Sequence, residues 1–444
     1  MTINRHTWVL VHRYAGLYMA LFLFIAGVTG SVIAFNVEID HWLNPPRPVA
    51  VRQQPMLDAL QLLARAEALL PQGQANYANF EQRPGEAAMV FLQPRTNPAT
   101  GRPYELAADT LVLDPYTGAE LERNRSASSL WPVTRQNLLA VIVTLHYSLL
   151  VPGSLGVWLF GIAALLWTID CFVSAYLTFP LSARRQGSAG EATATGLADT
   201  AAAEALATRS WWARWKPSWQ IKWRGSFYRV NFDVHRAGGL WIWLLLLVLA
   251  WSSVAFNLGE QVYNPVMKVV FNMPDVFAEH PTLPKPLENP PIDWQRARAL
   301  GRSAMAQQAG AQGFKVLSEQ TLAYMPDRGA YLYAVRSDRD LAPTGGNTFV
   351  LIDGGTGSYA GLYLPTGQNA GVTLTSWILA LHVAAIWGLP YKIFLCLVGM
   401  LIAALSWTGV YIWWKKRHAR RFAQARRSRS VPAKAPIAAR AAES

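Results

Sequence analysis

Four histidines stand where an imidazole has chemistry to do. His12 opens the motif Val11-His12-Arg13-Tyr14-Ala15-Gly16-Leu17 at the start of a long apolar run, and His235 opens its near-repeat, Val234-His235-Arg236-Ala237-Gly238-Gly239-Leu240. His146 and His382 lie in the apolar stretches Leu145-His146-Tyr147 and Leu381-His382, each just ahead of another apolar run. An imidazole at the edge of hydrocarbon costs free energy unless it is paired, hydrated or bound to a metal. A lone histidine at a helix end is satisfied by a carbonyl or a lipid headgroup; four in two repeated settings point to ligands instead. Two imidazoles facing each other across a helical bundle ligate one haem iron axially, whereas structural zinc asks for four donors, and no third is evident beside either motif. The two cysteines, Cys171 and Cys396, sit inside apolar runs, which argues against a disulfide framework or a thiolate metal site.

The elements that must position these histidines are membrane helices. Of 444 residues 52% are hydrophobic and 15% charged, too apolar for an ordinary soluble protein and too charged for one wholly in the bilayer. The run over 11–35 is long enough to cross about 30 Å of hydrocarbon at about 1.5 Å per residue, and it exceeds a signal-peptide core. Three more spans are expected at 157–179, 234–257 and 391–414. Ahead of the second and fourth, apolar helices carrying His146 (134–152) and His382 (372–388) stop at Val151-Pro152-Gly153 and Gly388-Leu389-Pro390, because Pro and Gly do not continue a helix. Between first and second span, and between third and fourth, segments 36–133 and 258–371 read as small α+β domains. Each contains a strand running into a turn, Val112-Leu113-Asp114-Pro115-Tyr116-Thr117-Gly118 and Leu351-Ile352-Asp353-Gly354-Gly355-Thr356-Gly357. The order of span, domain, Leu-His helix and span occurs twice, which is the mark of an internal duplication.

The net charge of +13 is concentrated in two places. Segment 180–230 holds Arg184, Arg185, Arg209, Arg214, Lys216, Lys222, Arg224 and Arg229, and the tail 415–444 holds ten basic residues against Glu443 alone. That is the positive-inside pattern, and it places 1–10, 180–230 and 415–444 in the cytoplasm and the α+β domains in the periplasm. Trp211, Trp215, Trp219 and Trp223 among those cations suit anchoring in the cytoplasmic interface, with Pro217 breaking the helix, rather than nucleic-acid stacking. An Ala/Thr/Gly-rich linker, 187–210, precedes them.

This topology sorts the histidines by depth. His12 and His235 begin outward spans and His146 and His382 precede inward ones, so like depths pair His12 with His235 and His146 with His382. Bis-histidine ligation fills both axial positions, which suits electron carriage rather than oxygen binding. His6, His41, His280 and His418 read as surface residues, His41 being a weak candidate near the outer pair. Asp170 is a costly intramembrane carboxyl, expected to relay a proton or to bond a neighbouring tryptophan. Gly16, Ala20, Gly27 and Gly30 fall largely on one face of the first span, where small residues allow close approach of a helix or a flat cofactor; Gly239 is the counterpart of Gly16 in the third.

With its two His-Arg motifs, its Leu-His helices and its Asp-x-x-Thr-Gly turns at Asp114 and Asp353, the chain resembles, over about residues 8–416, the PepSY-associated transmembrane-helix family. That family includes iron-regulated inner-membrane proteins and ferric-siderophore reductases. Ala237-Gly238 stand where the first motif has Tyr14-Ala15. The resemblance implies two haems b in a four-helix membrane core with two periplasmic PepSY-like α+β domains, His12, His235, His146 and His382 as iron ligands, and reduction of Fe(III)-siderophore at the periplasmic face. Hard oxygen donors hold Fe(III) better than Fe(II), so one electron loosens the iron. No nucleotide-binding fingerprint is present, so the electron donor is a quinol or a membrane or cytoplasmic reductase. The alternatives are a non-enzymatic PepSY sensor or peptidase-inhibitor scaffold, and a quinol-linked cytochrome b with another periplasmic acceptor.

Overall fold

A computed structural model describes residues 4–125, 130–180, 209–278 and 280–430. Most of the Ala/Thr/Gly-rich linker, with Arg184 and Arg185, and the tail beyond 430 lie outside the described residues.

Three helices are long and apolar enough to cross a membrane: α1 (Arg5–Ile33), the helix of residues Leu155–Thr178, and the one beginning at Gly388. The expected third span is a helix pair, Phe227–Trp241 and Trp243–Asn257, bent by 73°. The expectation of one unbroken helix over 234–257 is therefore modified, and the break at Ile242 follows Gly238-Gly239, since glycine pairs are common causes of kinks. The helix also starts earlier, where the Ser226 hydroxyl accepts the Arg229 N–H and caps it.

In chain order after α1, the elements are α2 (Asn36–Leu43), α3 (Ala59–Leu69), β1 (Gly73–Ala75), β2 (Tyr77–Asn79), β3 (Ala88–Pro94), β4 (Thr110–Leu113), β5 (Glu120–Asn124), α4 (Leu138–Ser148) and α5 (Leu155–Thr178). Then come α6 (Trp211–Trp215), α7 (Phe227–Trp241), α8 (Trp243–Asn257), α9 (Asn264–Phe271) and α10 (Trp294–Gln312). The chain ends with β6 (Val316–Met325), β7 (Ala330–Ser337), β8 (Thr348–Asp353), β9 (Tyr359–Tyr363), α11 (Ala370–His382) and α12 (Gly388–Ser430). They form two compact units, one of Met1–Val28, Ile162–Ala250 and Leu397–Ser444, the other of Thr29–Gly161 and Trp251–Cys396.

The first unit is helical. α6 stops at Lys216, where a 3-10 turn containing Pro217 takes over. Tryptophans of the helix and the turn pack in series, Trp211 tilted against Trp215 and Trp215 edge-on to Trp219, each pair at 5.0 Å between ring centres. Trp215 Nε1 donates to Thr178 Oγ1 at the end of α5 (3.1 Å). The aromatic row is thus pinned to a membrane helix, while Trp212 and Trp223 stay exposed.

The second unit carries the sheets. One sheet has the order β1-β3-β4-β5; the other, β2-β6-β7-β8-β9, takes its edge strand β2 from the first sequence segment, with Ala78 opposite Leu322. One core serves both sheets, joining Leu60, Leu63, Leu111 and Leu113 to Met305, Tyr331, Val350 and Ile352. The segments 36–133 and 258–371 are accordingly one α+β module, because neither short sheet buries its face alone. The two Asp-x-x-Thr-Gly motifs make the same turn. Asp114 Oδ1 accepts from the N–H groups of Tyr116 and Thr117, Asp353 Oδ1 from those of Gly355 and Thr356, and Gly118 (φ 69°) and Gly357 (φ 77°) supply the left-handed residue.

α4 ends in left-handed residues that are not glycine, Leu149 and Leu150 (φ 56° and 59°), and the link between α11 and α12 holds two more, Ala384 and Trp387 (φ 53° and 57°). Each costs about 1–2 kcal/mol. α4 stops at Leu149, before Pro152-Gly153, and the chain returns so closely that a Cβ on Gly156 would overlap the Ser148 carbonyl.

Candidate functional site: two imidazole pairs

α1 and α7 bring His12 and His235 together in the first unit, with ring centres 6.1 Å apart. In the second unit α4 and α11 bring together His146 and His382, at 6.4 Å. An iron–imidazole bond is about 2 Å long and the ring centre lies about 1 Å beyond the nitrogen, so two axial imidazoles on one metal have centres about 6 Å apart. Both pairs have that spacing.

All four rings are oriented through Nδ1. His12 Nδ1–H donates to both carboxylate oxygens of Asp170 on α5, at 3.0 and 2.9 Å. His235 Nδ1–H donates to the Leu405 carbonyl at 3.0 Å, with Thr408 Oγ1 at 3.2 Å. His146 Nδ1 shares a hydrogen bond with Thr29 Oγ1 at 2.9 Å, and His382 Nδ1 with Ser252 Oγ at 2.6 Å. With Nδ1 engaged in this way, Nε2 is the nitrogen that would be left to meet a metal, and such outer partners fix the tautomer and ring plane of a ligating histidine. Asp170, 7% exposed, thus orients His12 and does not bond a tryptophan; the nearby Trp243 Nε1 donates to the Cys171 carbonyl instead.

Small residues have three separate duties here. Gly16 and Gly239 line a cavity of about 440 Å³ shared with His12, His235 and Asp170, and a Cβ on either would enter open space. That volume is in the range of small-molecule sites. Gly30 and Gly409 seat the rings, since a Cβ there would stand 3.1 Å from Cε1 of His146 and of His235. Gly27 serves helix packing, because its Cβ would meet the Gly399 carbonyl of α12 at 2.5 Å. In the first unit the cavity, the imidazole spacing and the engaged Nδ1 atoms fit a flat iron macrocycle that His12 and His235 would hold, while at His146 and His382 the spacing and the engaged Nδ1 atoms alone support one. Among the described residues no group of three or more His, Cys, Asp or Glu could hold a bare metal ion.

The other histidines fall elsewhere. His6, His41 and His418 are exposed, His418 packing on Trp414. His280 is not a surface residue: its side chain is 12% exposed, with Nδ1 3.8 Å from Asp353 Oδ2. Sequence reasoning missed Thr29, Ser252, Thr408 and the Leu405 carbonyl, since hydroxyls and carbonyls on apolar helices carry no periodic signal. It also missed Asp233, which is wholly buried and takes Arg229 and Arg236, each at 2.9 Å. Charges at i, i+3 and i+4 around Asp233 were the available hint.

A family model described as the PepSY-associated TM region matches residues 9–416, a stretch that holds all four paired histidines and Asp170. Comparison with curated proteins finds no match.

Proposed function

This chain belongs to the PepSY-associated TM family, and from that premise we propose that it is an inner-membrane di-haem b protein that passes electrons to Fe(III)-siderophore in the periplasm. One observation carries the reading: two imidazole pairs, at 6.1 and 6.4 Å, with every Nδ1 already engaged. Haem bound between such histidines supplies one-electron carriage without an open coordination position. His12 and His235 hold one group and His146 and His382 the other. Asp170, the Leu405 carbonyl, Thr29 and Ser252 keep the rings aligned. The α+β module presents the periplasmic surface on which the chelate docks. The basic Trp-rich segment and the termini face the cytoplasm, consistent with their excess of Arg and Lys. The donor is a quinol or a reductase; a quinol gives up two electrons and two protons, enough for two Fe(III) to become two Fe(II).

The test is a dithionite-reduced minus oxidised spectrum of the purified full-length protein, with pyridine haemochrome quantification. Sharp b-type bands at about two haems per chain are expected, followed by reoxidation on adding an Fe(III)-siderophore. A colourless protein that cannot be reconstituted with haem overturns the reading. Retained ferrous haem in the presence of Fe(III)-siderophores overturns the acceptor.

A further inference from the structure

The cavity that holds His12 and His235 is walled by more positive charge than its own residues neutralise. Arg5, Arg13, Arg236 and Lys416 all line it, against one acid, Asp170, whose two oxygens both meet His12. Arg5 is committed, donating to the carbonyls of Leu177 and Phe179. Arg236 reaches Asp233 and the Pro217 carbonyl with one terminal nitrogen, but its buried Nε has no partner. Among the described residues Arg13 has neither a hydrogen bond nor an ion pair, and Lys416 has only the Phe232 ring, 5.8 Å from its ammonium.

Cations that merely mark the cytoplasmic side have loops and a tail in which to sit in water. Lys416 is exposed at the cavity mouth and keeps its hydration, but a half-buried Arg13 without a partner and a buried Arg236 Nε on the wall of a largely apolar cavity are costly without a counter-anion, because the low dielectric weakens their hydration. The ligand of this cavity must therefore bring negative charge at its edge as well as an apolar face and a metal. We propose that Arg13, Arg236 and Lys416 form an anion subsite that takes the edge carboxylates of the macrocycle held by His12 and His235. The proposal rests on the haem reading above. Arg13 and Arg236 each directly follow a ligand histidine in sequence, so the repeated His-Arg pair carries axial ligand and edge anchor together.

The experiment is reconstitution of full-length His382→Ala apoprotein, in which only the first site can hold a bis-histidine group. Iron protoporphyrin IX is compared with its dimethyl ester by optical titration. The free acid is expected to bind at least tenfold more tightly than the ester, and the gap should close in Arg13→Gln/Lys416→Gln and persist in Arg13→Lys. Equal binding of acid and ester overturns the subsite while leaving the haem reading intact. A gap that survives Arg13→Gln/Lys416→Gln assigns the anchoring to other residues and also overturns it. Failure of both porphyrins to bind overturns the haem reading and the proposal with it. Repeating the titration with phosphatidylglycerol added to zwitterionic micelles separates carboxylate from lipid phosphate. An unchanged affinity supports the proposal, and competition by the lipid overturns it.

Discussion

Asp170 shows how one side chain can make two similar imidazole pairs differ. Its carboxylate accepts from His12, while the partners of His146 and His382 are hydroxyls. A carboxylate acceptor makes imidazole a stronger donor, which favours the higher oxidation state of a bound metal. Asp170→Asn is therefore expected to raise the midpoint potential of the haem proposed for the first unit. The scale is about 59 mV for each tenfold change in a one-electron equilibrium. Haem affinity at that site should fall by about 10- to 100-fold, the usual cost of losing an outer partner. Potentiometric titration followed at the haem band checks the first and apoprotein reconstitution the second; an unmoved potential removes the tuning role. That Asp170 would matter was legible in the sequence, since carboxyls in hydrocarbon are rare. That it holds His12 was not, because 158 residues separate the two.

Among elements, α1 divides its small residues between a cavity, a helix contact and an imidazole seat, a division that spacing alone cannot make. Gly27 lies against the α12 backbone, so Gly27→Val forces two helices apart. Overpacking of this kind costs about 1–3 kcal/mol. The thermal unfolding midpoint in detergent should fall accordingly, whereas Gly16→Val should mainly block the cavity and lower haem content. In the α+β module, α10 and β6 are joined by Glu319, which accepts from Arg298, Arg302 and the Tyr333 hydroxyl. Burial opposes the charge of Glu319, but these donors outweigh it and hold the carboxyl at about 2, below its ordinary 4.5. Because the folded value is depressed, the stabilisation is fully present above about pH 4.5 and is lost as the pH falls toward 2. Acid titration of module unfolding should show that loss, and Glu319→Gln should flatten it; an unchanged pH profile in the variant would assign the acid sensitivity elsewhere.

At the scale of the whole molecule, each imidazole pair is built inside its own compact unit from elements distant in the chain. The pairs should therefore load independently. His12→Ala or His235→Ala is expected to remove one haem while leaving most of the other, and His146→Ala or His382→Ala the reverse. Full haem content in all four variants would contradict the ligand assignment. Hydropathy, charge asymmetry and repeated motifs are sums over neighbouring residues, so the sequence by itself determined a membrane protein with α+β parts, its family and the histidines worth pairing. The tertiary structure alone decided the bend at Ile242, the lending of β2 to the other sheet, the carboxylate behind His12 and the glycines beneath the rings. Each of these depends on which surfaces meet after long loops close, and local pattern carries no record of that.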